Sequence, residues 1–305
     1  MKSKRNLRQL CLLCATMLPA VAQAQFTFTT NNGAITITAY TGSGGAVVIP
    51  SATNGYPVVC IGTNAFAGSS LTSVKIPGSV TNIGNYAFEF CAHLAGLTIS
   101  NGVAGIGQSV FLGCAKLMRV VIPGSVTSLG KEAFYGCSHL TNAIIGGVGN
   151  SIGEDAFEGC SSLTNILIGG SVTSIKGYAF YACDRLASIY FLGNAPSAGT
   201  GAFSGGTLYY LPGMSGWTAI FSGHPTALWN PQFEVGDASF GVRTNRFDFK
   251  IIGTTNIPIV LEACTNPASA NWTPLQSCCA TNGSINFSDS QWTNYPARFY
   301  RVRSP

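Results

Sequence analysis

Charged side chains are scarce in this chain and make up only 9% of its 305 residues. Four of the sixteen lysines and arginines, Lys2, Lys4, Arg5 and Arg8, lie in the first 24 residues, so the net charge of +5 falls to +1 without that segment. Proteins that bind nucleic acids or anionic membranes present strongly basic surfaces. The nearly neutral remainder of the chain therefore argues against both kinds of partner.

Side chains that could perform catalysis are also few and scattered. Two of the three histidines, His93 and His139, occupy the same position of an internal repeat, where other copies carry lysine, serine or arginine, as is typical of a solvated edge. The acidic residues form no paired-carboxylate or metal-ligand spacing. The glycine-rich residues 42–45 lack the lysine and hydroxyl residue of a phosphate-binding loop. We therefore predict no enzymatic activity and no catalytic, cofactor-binding or metal site.

Long apolar runs are absent after residue 24. The run from about Leu10 to Val21 is too short to cross a bilayer, which takes about 20 residues. Basic residues precede it and Ala22-Gln23-Ala24 follows it, which is typical of a secretory signal peptide and its cleavage site. We predict a signal peptide over residues 1–24, cleaved after Ala24. The mature chain is expected to have no membrane span and to be secreted or held on the outer surface of a bacterium.

An internal repeat dominates the middle of the chain. One phenylalanine recurs after 22 residues and then five times after 23, and such a fixed period indicates a solenoid. The phenylalanines are Phe66, Phe88, Phe111, Phe134, Phe157, Phe180 and Phe203. Each repeat contains Leu-x-x-Val-x-Ile, which predicts a short strand with valine and isoleucine inward and the residue between them outward. The segment Ala-Phe-x-x-Cys predicts a tight bend of about one helical turn, whose phenylalanine fills the core.

Four copies, at residues 83–100, 106–123, 129–146 and 152–169, match the pattern I-G-x-x-A-F-x-x-C-x-x-L-x-x-V-x-I-P closely. This pattern resembles the BspA-type bacterial leucine-rich repeat, and the resemblance covers about half of the chain. It implies an α/β leucine-rich-repeat solenoid dominated by β-structure, right-handed, with 23-residue coils and parallel strands. It also implies a non-catalytic, adhesin-like protein, secreted or on the cell surface, that binds a protein or an extracellular glycan or polymer.

Composition and period divide the chain into five segments. We predict a signal peptide over residues 1–24, an N-terminal β cap over 25–59, seven repeat coils over 60–212, a cap or linker over 213–231, and a small β-sandwich-like domain over 232–305. In the last segment, short β-rich runs at 247–252, 257–264, 272–276, 284–287 and 298–302 are bounded by turn residues. Such runs predict five or six antiparallel strands.

Five cysteines share one position of the repeat: Cys91, Cys114, Cys137, Cys160 and Cys183. This regularity favours a buried, unpaired column, because free cysteine behaves as a small apolar residue. Disulfides between adjacent coils remain the alternative. Zinc binding is disfavoured because single cysteines 23 residues apart lack the paired spacing of zinc sites. In the C-terminal segment, Cys264 with Cys278 or Cys279 is a candidate disulfide.

The outward positions of the repeat strands form a column, which we call the outer column: Lys75, Thr98, Val121, Ile144, Leu167, Tyr190 and Tyr210. Its apolar side chains lie beside a polar column that includes Arg119, Asn142 and Asn165. An apolar stripe with a polar rim is typical of a contact site. We predict that a partner binds at Val121, Ile144, Leu167, Tyr190, Tyr210, Arg119, Asn142 and Asn165. The alternatives are that these residues reflect β-propensity alone, or that the C-terminal unit packs on them.

A second hypothesis places carbohydrate binding in the C-terminal unit. Trp272, Trp292 and Tyr295 could serve there as platforms on which sugar rings stack. In so small a domain, however, such aromatic residues often belong to the core. Their exposure to solvent distinguishes the two interpretations.

Overall fold

A computed structural model describes residues 25–146, 149, 151–229, 232–234, 236, 240–253, 258–266, 271–279 and 283–303. The predicted signal peptide, residues 1–24, lies outside the described residues. In chain order, the cap and repeat strands are β1 (Phe26–Asn31), β2 (Ala34–Tyr40), β3 (Gly45–Val48), β4 (Ala52–Thr53), β5 (Tyr56–Ile61), β6 (Leu71–Ile76), β7 (Asn82–Ile83), β8 (Gly96–Ile99), β9 (Gly105–Ile106), β10 (Arg119–Ile122), β11 (Ser128–Leu129), β12 (Asn142–Ile145), β13 (Ser151–Ile152), β14 (Asn165–Ile168), β15 (Ser174–Ile175), β16 (Ser188–Phe191), β17 (Ser197–Ala198), β18 (Thr207–Tyr210), β19 (Ile220–Phe221) and β20 (His224–Leu228). The C-terminal elements are β21 (Gln232–Glu234), β22 (Gly241–Arg243), β23 (Arg246–Ile252), β24 (Pro258–Cys264), β25 (Thr273–Cys279), β26 (Ser284–Asp289), a 3₁₀ helix (Trp292–Asn294) and β27 (Phe299–Arg303).

The repeats form a β-solenoid with two walls of parallel strands. One wall has the strand order β1-β2-β5-β7-β9-β11-β13-β15-β17. The other contains the Leu-x-x-Val-x-Ile strands in two hydrogen-bonded groups, β3-β6-β8 and β10-β12-β14-β16-β18-β20. This confirms the predicted solenoid and its parallel strands. The bends after each phenylalanine are tight, as expected, but they consist of consecutive turns rather than a helical turn.

The core of the solenoid lies between the two walls and contains a continuous stack of phenylalanines. The seven repeat phenylalanines are buried, with successive ring centroids 4.7–5.8 Å apart and interplanar angles of 4–18°. Tyr40 of the N-terminal segment extends the stack, with its ring 5.2 Å from that of Phe66. Since each coil covers the ring of its neighbour, the core forms only when coils stack on one another.

The cysteine column is buried, as predicted, and its thiols have a specific role. Each Sγ donates a hydrogen bond to the carbonyl oxygen of the phenylalanine one coil earlier. The pairs are Cys91 with Phe66, Cys114 with Phe88, Cys137 with Phe111, Cys160 with Phe134 and Cys183 with Phe157, at 3.1–3.3 Å. At the last coil, Ser204 Oγ donates the equivalent bond to Phe180, at 3.1 Å. The column therefore satisfies backbone carbonyls that the bend would leave buried without a partner.

Glycine ends the strand in two coils where proline ends it in others. At Gly169, an added Cβ would lie 2.8 Å from the carbonyl oxygen of Ile145 and still closer to that of Gly146. The backbones of adjacent coils approach too closely there for any larger residue. This packing explains why Gly146 and Gly169 stand in place of proline.

The chain on either side of the repeats adds strands to the two walls. The β1–β2 hairpin, closed by Asn32 and Gly33 with positive φ angles, forms the first edge of one wall. In the other wall, β3 pairs with β6 and β20 pairs with β18, both in parallel. The wall that carries the outer column is thus one strand longer at each end than the seven coils predicted from the period.

The C-terminal strands form two antiparallel sheets, which we call the C-terminal module. One has the order β21-β23-β22 with β26 paired to β23, and the other has the order β25-β24-β27. The predicted disulfide is wrong for Cys264 and Cys278, because both are free. The register pairs Cys278 with Ile259 and Cys279 with Pro258, five and six residues from Cys264. At about 3.4 Å per residue, both backbones lie far beyond the distance that a disulfide can bridge.

Candidate functional site

The outer column is a continuous row across the strand wall. Strand register aligns Val48, Lys75 and Thr98, and further along it aligns Val121, Ile144, Leu167, Tyr190 and Tyr209. Val48 is a member that the repeat pattern did not predict, because it lies in the N-terminal segment. The row divides into two parts with different surroundings.

The first part, which we call the open half, consists of Val48, Lys75, Thr98 and Val121. Val48 is 67% exposed and Val121 is 44% exposed, and the side chains of Lys75 and Thr98 are also exposed. Beside Val121, Met118 is 57% exposed. The open half thus presents apolar side chains on a rigid strand wall, at the positions where the repeat pattern predicts exposure.

The second part, which we call the covered half, consists of Ile144, Leu167, Tyr190 and Tyr209. Ile144, Leu167 and Tyr190 are only 2%, 3% and 4% exposed, so the expectation that they face solvent is wrong. The C-terminal module covers them. They share one apolar cluster with Phe249 and Ile251 of β23 and with Ile259 and Leu261 of β24. The alternative that the C-terminal unit packs on the outer column is therefore confirmed for this half.

Trp229 links the solenoid to the C-terminal module. Its backbone N–H donates to the carbonyl oxygen of Tyr210, and its indole Nε1–H donates to that of Gly253, both at 2.7 Å. The indole ring also packs edge-on against Tyr190, with centroids 5.7 Å apart. An aromatic residue that is buried and fully hydrogen-bonded on both sides fixes the two units in one arrangement.

The structure assigns Tyr210 a different place from the one predicted. Tyr209 pairs with Tyr190 in the register and stacks on it, with centroids 4.9 Å apart, whereas Tyr210 pairs with Phe191. The ring of Tyr210 stacks on Trp217 at 5.2 Å. The last coil is shorter than the others, so counting by the repeat period misplaces its strand by one residue. A one-residue error assigns the side chain to the opposite face of the sheet.

The polar column beside the outer column also changes along the wall. Arg119 is exposed, whereas Asn142 and Asn165 are half-buried. Asn165 Nδ2 donates to Thr164 Oγ1 at 3.1 Å. The buried Oδ1 of Asn142 has no hydrogen-bond partner among the described residues. Of the predicted partner-binding set, only Val121 and Arg119 are exposed side chains.

An acidic cluster lies on the bends of the repeats. Lys131 Nζ is 3.2 Å from Asp155, 3.4 Å from Glu154 and 3.8 Å from Glu132. Burial and the nearby Asp155 raise the pKa of Glu158 above its usual value. Within the described ranges, no group of histidine, cysteine, aspartate and glutamate residues has the arrangement of a metal site.

The three aromatic residues of the carbohydrate hypothesis lie in two places. Trp272 is partly buried, and the guanidinium of Arg301 lies 4.3 Å from its ring centroid. Trp292 and Tyr295 belong to the 3₁₀ helix and the residue after it, and both line a cavity of about 240 Å³. The sequence grouped these three residues, but the structure brings only two of them together.

In the part of the chain that the structure describes, no helix is long and apolar enough to cross a lipid bilayer.

Comparisons with known proteins agree with this architecture. The family description "BspA type Leucine rich repeat region" matches six copies over residues 59–187 and 106–221. A leucine-rich repeat protein of T. pallidum is 33% identical, with a TM-score of 0.54 over 58% of this chain and 84% of that one. One from Bacteroides ovatus is 22% identical, with a TM-score of 0.40 over 67% and 75%. None of the curated proteins matches the chain significantly. With the family's repeat matched over more than half of its length, the chain belongs to the BspA-type leucine-rich repeat proteins.

Proposed function

We propose that this chain is an exported, non-catalytic binding protein that contacts its partner through the open half of the outer column. The exposed apolar pair Val48 and Val121, on a wall whose other end is covered, carries this proposal. Leucine-rich repeat scaffolds support binding surfaces of this kind. The signal-peptide pattern of residues 1–24 supports export, and the partner is a protein or extracellular polymer at a cell surface, as for an adhesin.

The chemistry of the open half favours a partner with apolar and acidic groups. Val48, Met118 and Val121 offer apolar contact area, while the exposed side chains of Lys75 and Arg119 add positive charge at the same wall. Interfaces generally combine such an apolar centre with a polar rim. A short strand wall contributes little conformational entropy cost on binding because its backbone is already fixed.

Capture experiments with matched variants test this proposal. Residues 25–305 serve as bait for surface and extracellular material, beside Val121→Glu and Val48→Glu. Ile220→Glu is the control, since Ile220 is an equally exposed strand residue, 66% accessible, outside the outer column. We expect a partner that the wild type and Ile220→Glu retain and that both valine variants lose by at least tenfold in affinity. A partner retained equally by all four baits contradicts this site.

A further inference from the structure

The cavity of the C-terminal module has features of a binding site. It measures about 240 Å³ and lies between β22, β23 and the segment from the 3₁₀ helix to β27. Its lining residues are Val242, Phe247, Trp292, Tyr295, Pro296, Ala297, Arg298 and Tyr300. Ligand sites for small molecules usually combine apolar walls with a few polar groups, at volumes of about 300 Å³ or more. A slightly smaller cavity fits a single ring.

The floor of this cavity is rigid and aromatic. Phe247 and Tyr300 stack with centroids 5.7 Å apart and an interplanar angle of 11°, and both pack against the cluster that covers the outer column. Trp292 lies 6.3 Å from Phe247. By contrast, Val242 and Tyr295 at the rim are exposed, so the cavity opens to solvent on that side.

Polar groups in this cavity are held by one buried carboxylate. Asp289 accepts hydrogen bonds from the backbone N–H of Gln291 and from the hydroxyl of Tyr300, both at 2.8 Å. Its Oδ2 also lies 2.5 Å from Arg298 Nε, and the guanidinium of Arg298 lies 4.2 Å from the ring centroid of Tyr295. The guanidinium has five N–H donors, more than this already occupied carboxylate can accept, so donors remain for a ligand.

The indole of Trp292 adds an unsatisfied donor. Its Nε1–H is buried and has no acceptor within the described part of the chain. A buried donor without a partner costs about 1–3 kcal/mol, and an acceptor from a bound molecule would remove that cost. The cavity therefore offers ring faces together with hydrogen-bond donors. Because Asp289 balances the charge of Arg298, the site carries no net positive charge.

We propose that this cavity binds one neutral pyranose ring of a glycan. The C–H face of a pyranose packs on aromatic rings, and its hydroxyl and ring oxygens accept hydrogen bonds from Trp292 and Arg298. A charged uronic acid fits less well because Arg298 is already paired. Trp272 has no part in this site, since it lies under Arg301 on the other sheet. The site is separate from the open half of the outer column.

Saturation-transfer NMR on residues 25–305 tests this proposal, with the methyl glycosides of glucose, galactose and N-acetylglucosamine as neutral probes. Glucuronic acid and a tripeptide with a central tyrosine are the competing classes. We expect saturation of the ring C–H protons of at least one neutral probe. Tyr295→Ala, at an exposed position, and the conservative Trp292→Phe should each weaken its affinity at least tenfold. Trp272→Phe and Val121→Glu should leave it unchanged.

Several outcomes would overturn the proposal. They are no signal from any neutral probe, binding only of glucuronic acid or of the peptide, and neutral-sugar binding that survives both Tyr295→Ala and Trp292→Phe. Equal loss of binding in Trp272→Phe would also contradict it, because that residue lies outside the cavity. Circular dichroism of each variant shows whether the fold is retained. A folded Tyr295→Ala protein that binds as tightly as the wild type is sufficient to reject the site.

Discussion

Cys160 Sγ donates a hydrogen bond to the carbonyl oxygen of Phe134, one coil earlier, at 3.3 Å. The thiol is buried, and the same bond recurs in four other coils. Cysteine at this position therefore acts as a hydrogen-bonding core residue. A cysteine that is protonated, buried and engaged with the backbone is poorly suited to redox or metal chemistry.

Alkylation should distinguish these thiols from Cys60. Burial raises the pKa of Cys91 to about 11 and that of Cys183 to about 12, and it raises the pKa values of Cys114, Cys137 and Cys160 as well. At pH 8, about one thiol in a thousand is ionised at a pKa of 11. We expect iodoacetamide to label the half-buried Cys60 in the folded protein while the five column thiols react only after denaturation. Peptide mass spectrometry measures this, and column labelling at the rate of Cys60 would refute the buried column.

Two bend residues with positive φ should respond in opposite directions to substitution. Gly136 has a φ of 68° and open space where a Cβ would lie, whereas Ala182 holds the equivalent position with a φ of 52°. The left-handed conformation costs a non-glycine residue about 1–2 kcal/mol. We expect Gly136→Ala to lower the free energy of unfolding by about 1 kcal/mol and Ala182→Gly to raise it slightly, since added chain entropy offsets part of the gain. Urea denaturation checks both, and a stabilised Gly136→Ala would contradict the assignment.

Truncation in the covered half should loosen the C-terminal module. Leu167→Ala removes a buried side chain from the cluster shared with Phe249 and Leu261, at an expected cost of about 2–5 kcal/mol. Val121→Ala, in the same column but exposed, should change stability by no more than about 0.5 kcal/mol. Limited proteolysis should then cleave within residues 230–305 faster in Leu167→Ala than in Val121→Ala. Equal protection of the two variants would mean that the module does not rest on this stripe.

The pH dependence of stability should change when Glu158 is neutralised. Burial, and then Asp155, raises the pKa of Glu158 above the usual 4.5, so its ionised form is disfavoured in the folded protein. The contribution of Glu158 to stability should therefore rise as the pH falls from neutral through this raised pKa, and it should stop rising below about 4.5, where both states are protonated. We expect Glu158→Gln to be more stable than the wild type at pH 7 and similar to it at pH 4. Thermal unfolding of both proteins at the two pH values measures this.

The same comparison has an internal control in Glu154. Glu154 lies 3.4 Å from Lys131 and is more exposed, so Glu154→Gln removes an attractive surface contact rather than a disfavoured charge. It should be neutral or slightly destabilising at pH 7. If Glu154→Gln stabilised the protein as much as Glu158→Gln, general repulsion within the acidic cluster would be the cause.

The repeat period predicted the features that recur in every coil. The inward positions of Val120 and Ile122, the phenylalanine stack and the buried cysteine column all follow from a fixed spacing together with apolar residues. Such positions are set by neighbouring coils that have the same pattern. The sequence therefore specifies them several times over.

Features that occur once were harder to predict. An outward isoleucine such as Ile144 reads the same whether it faces solvent, a partner or another part of its own chain, because β-propensity favours it in every case. The assignment of Tyr210 failed because the shortened last coil breaks the period. One signal was available for the covered half: the outer column becomes apolar only from Val121 onward, while Lys75 and Thr98 are polar.

The C-terminal module is attached only to the coils that carry the covered half, and the open half lies on the coils before them. Adjacent strands are about 4.8 Å apart, so one 23-residue coil added or removed near Thr98 would lengthen or shorten the open half by about that distance. The attachment of the module would not change. Gain or loss of whole coils could therefore adjust the reach of this surface during evolution, in fixed increments, while the end that anchors the C-terminal module is preserved.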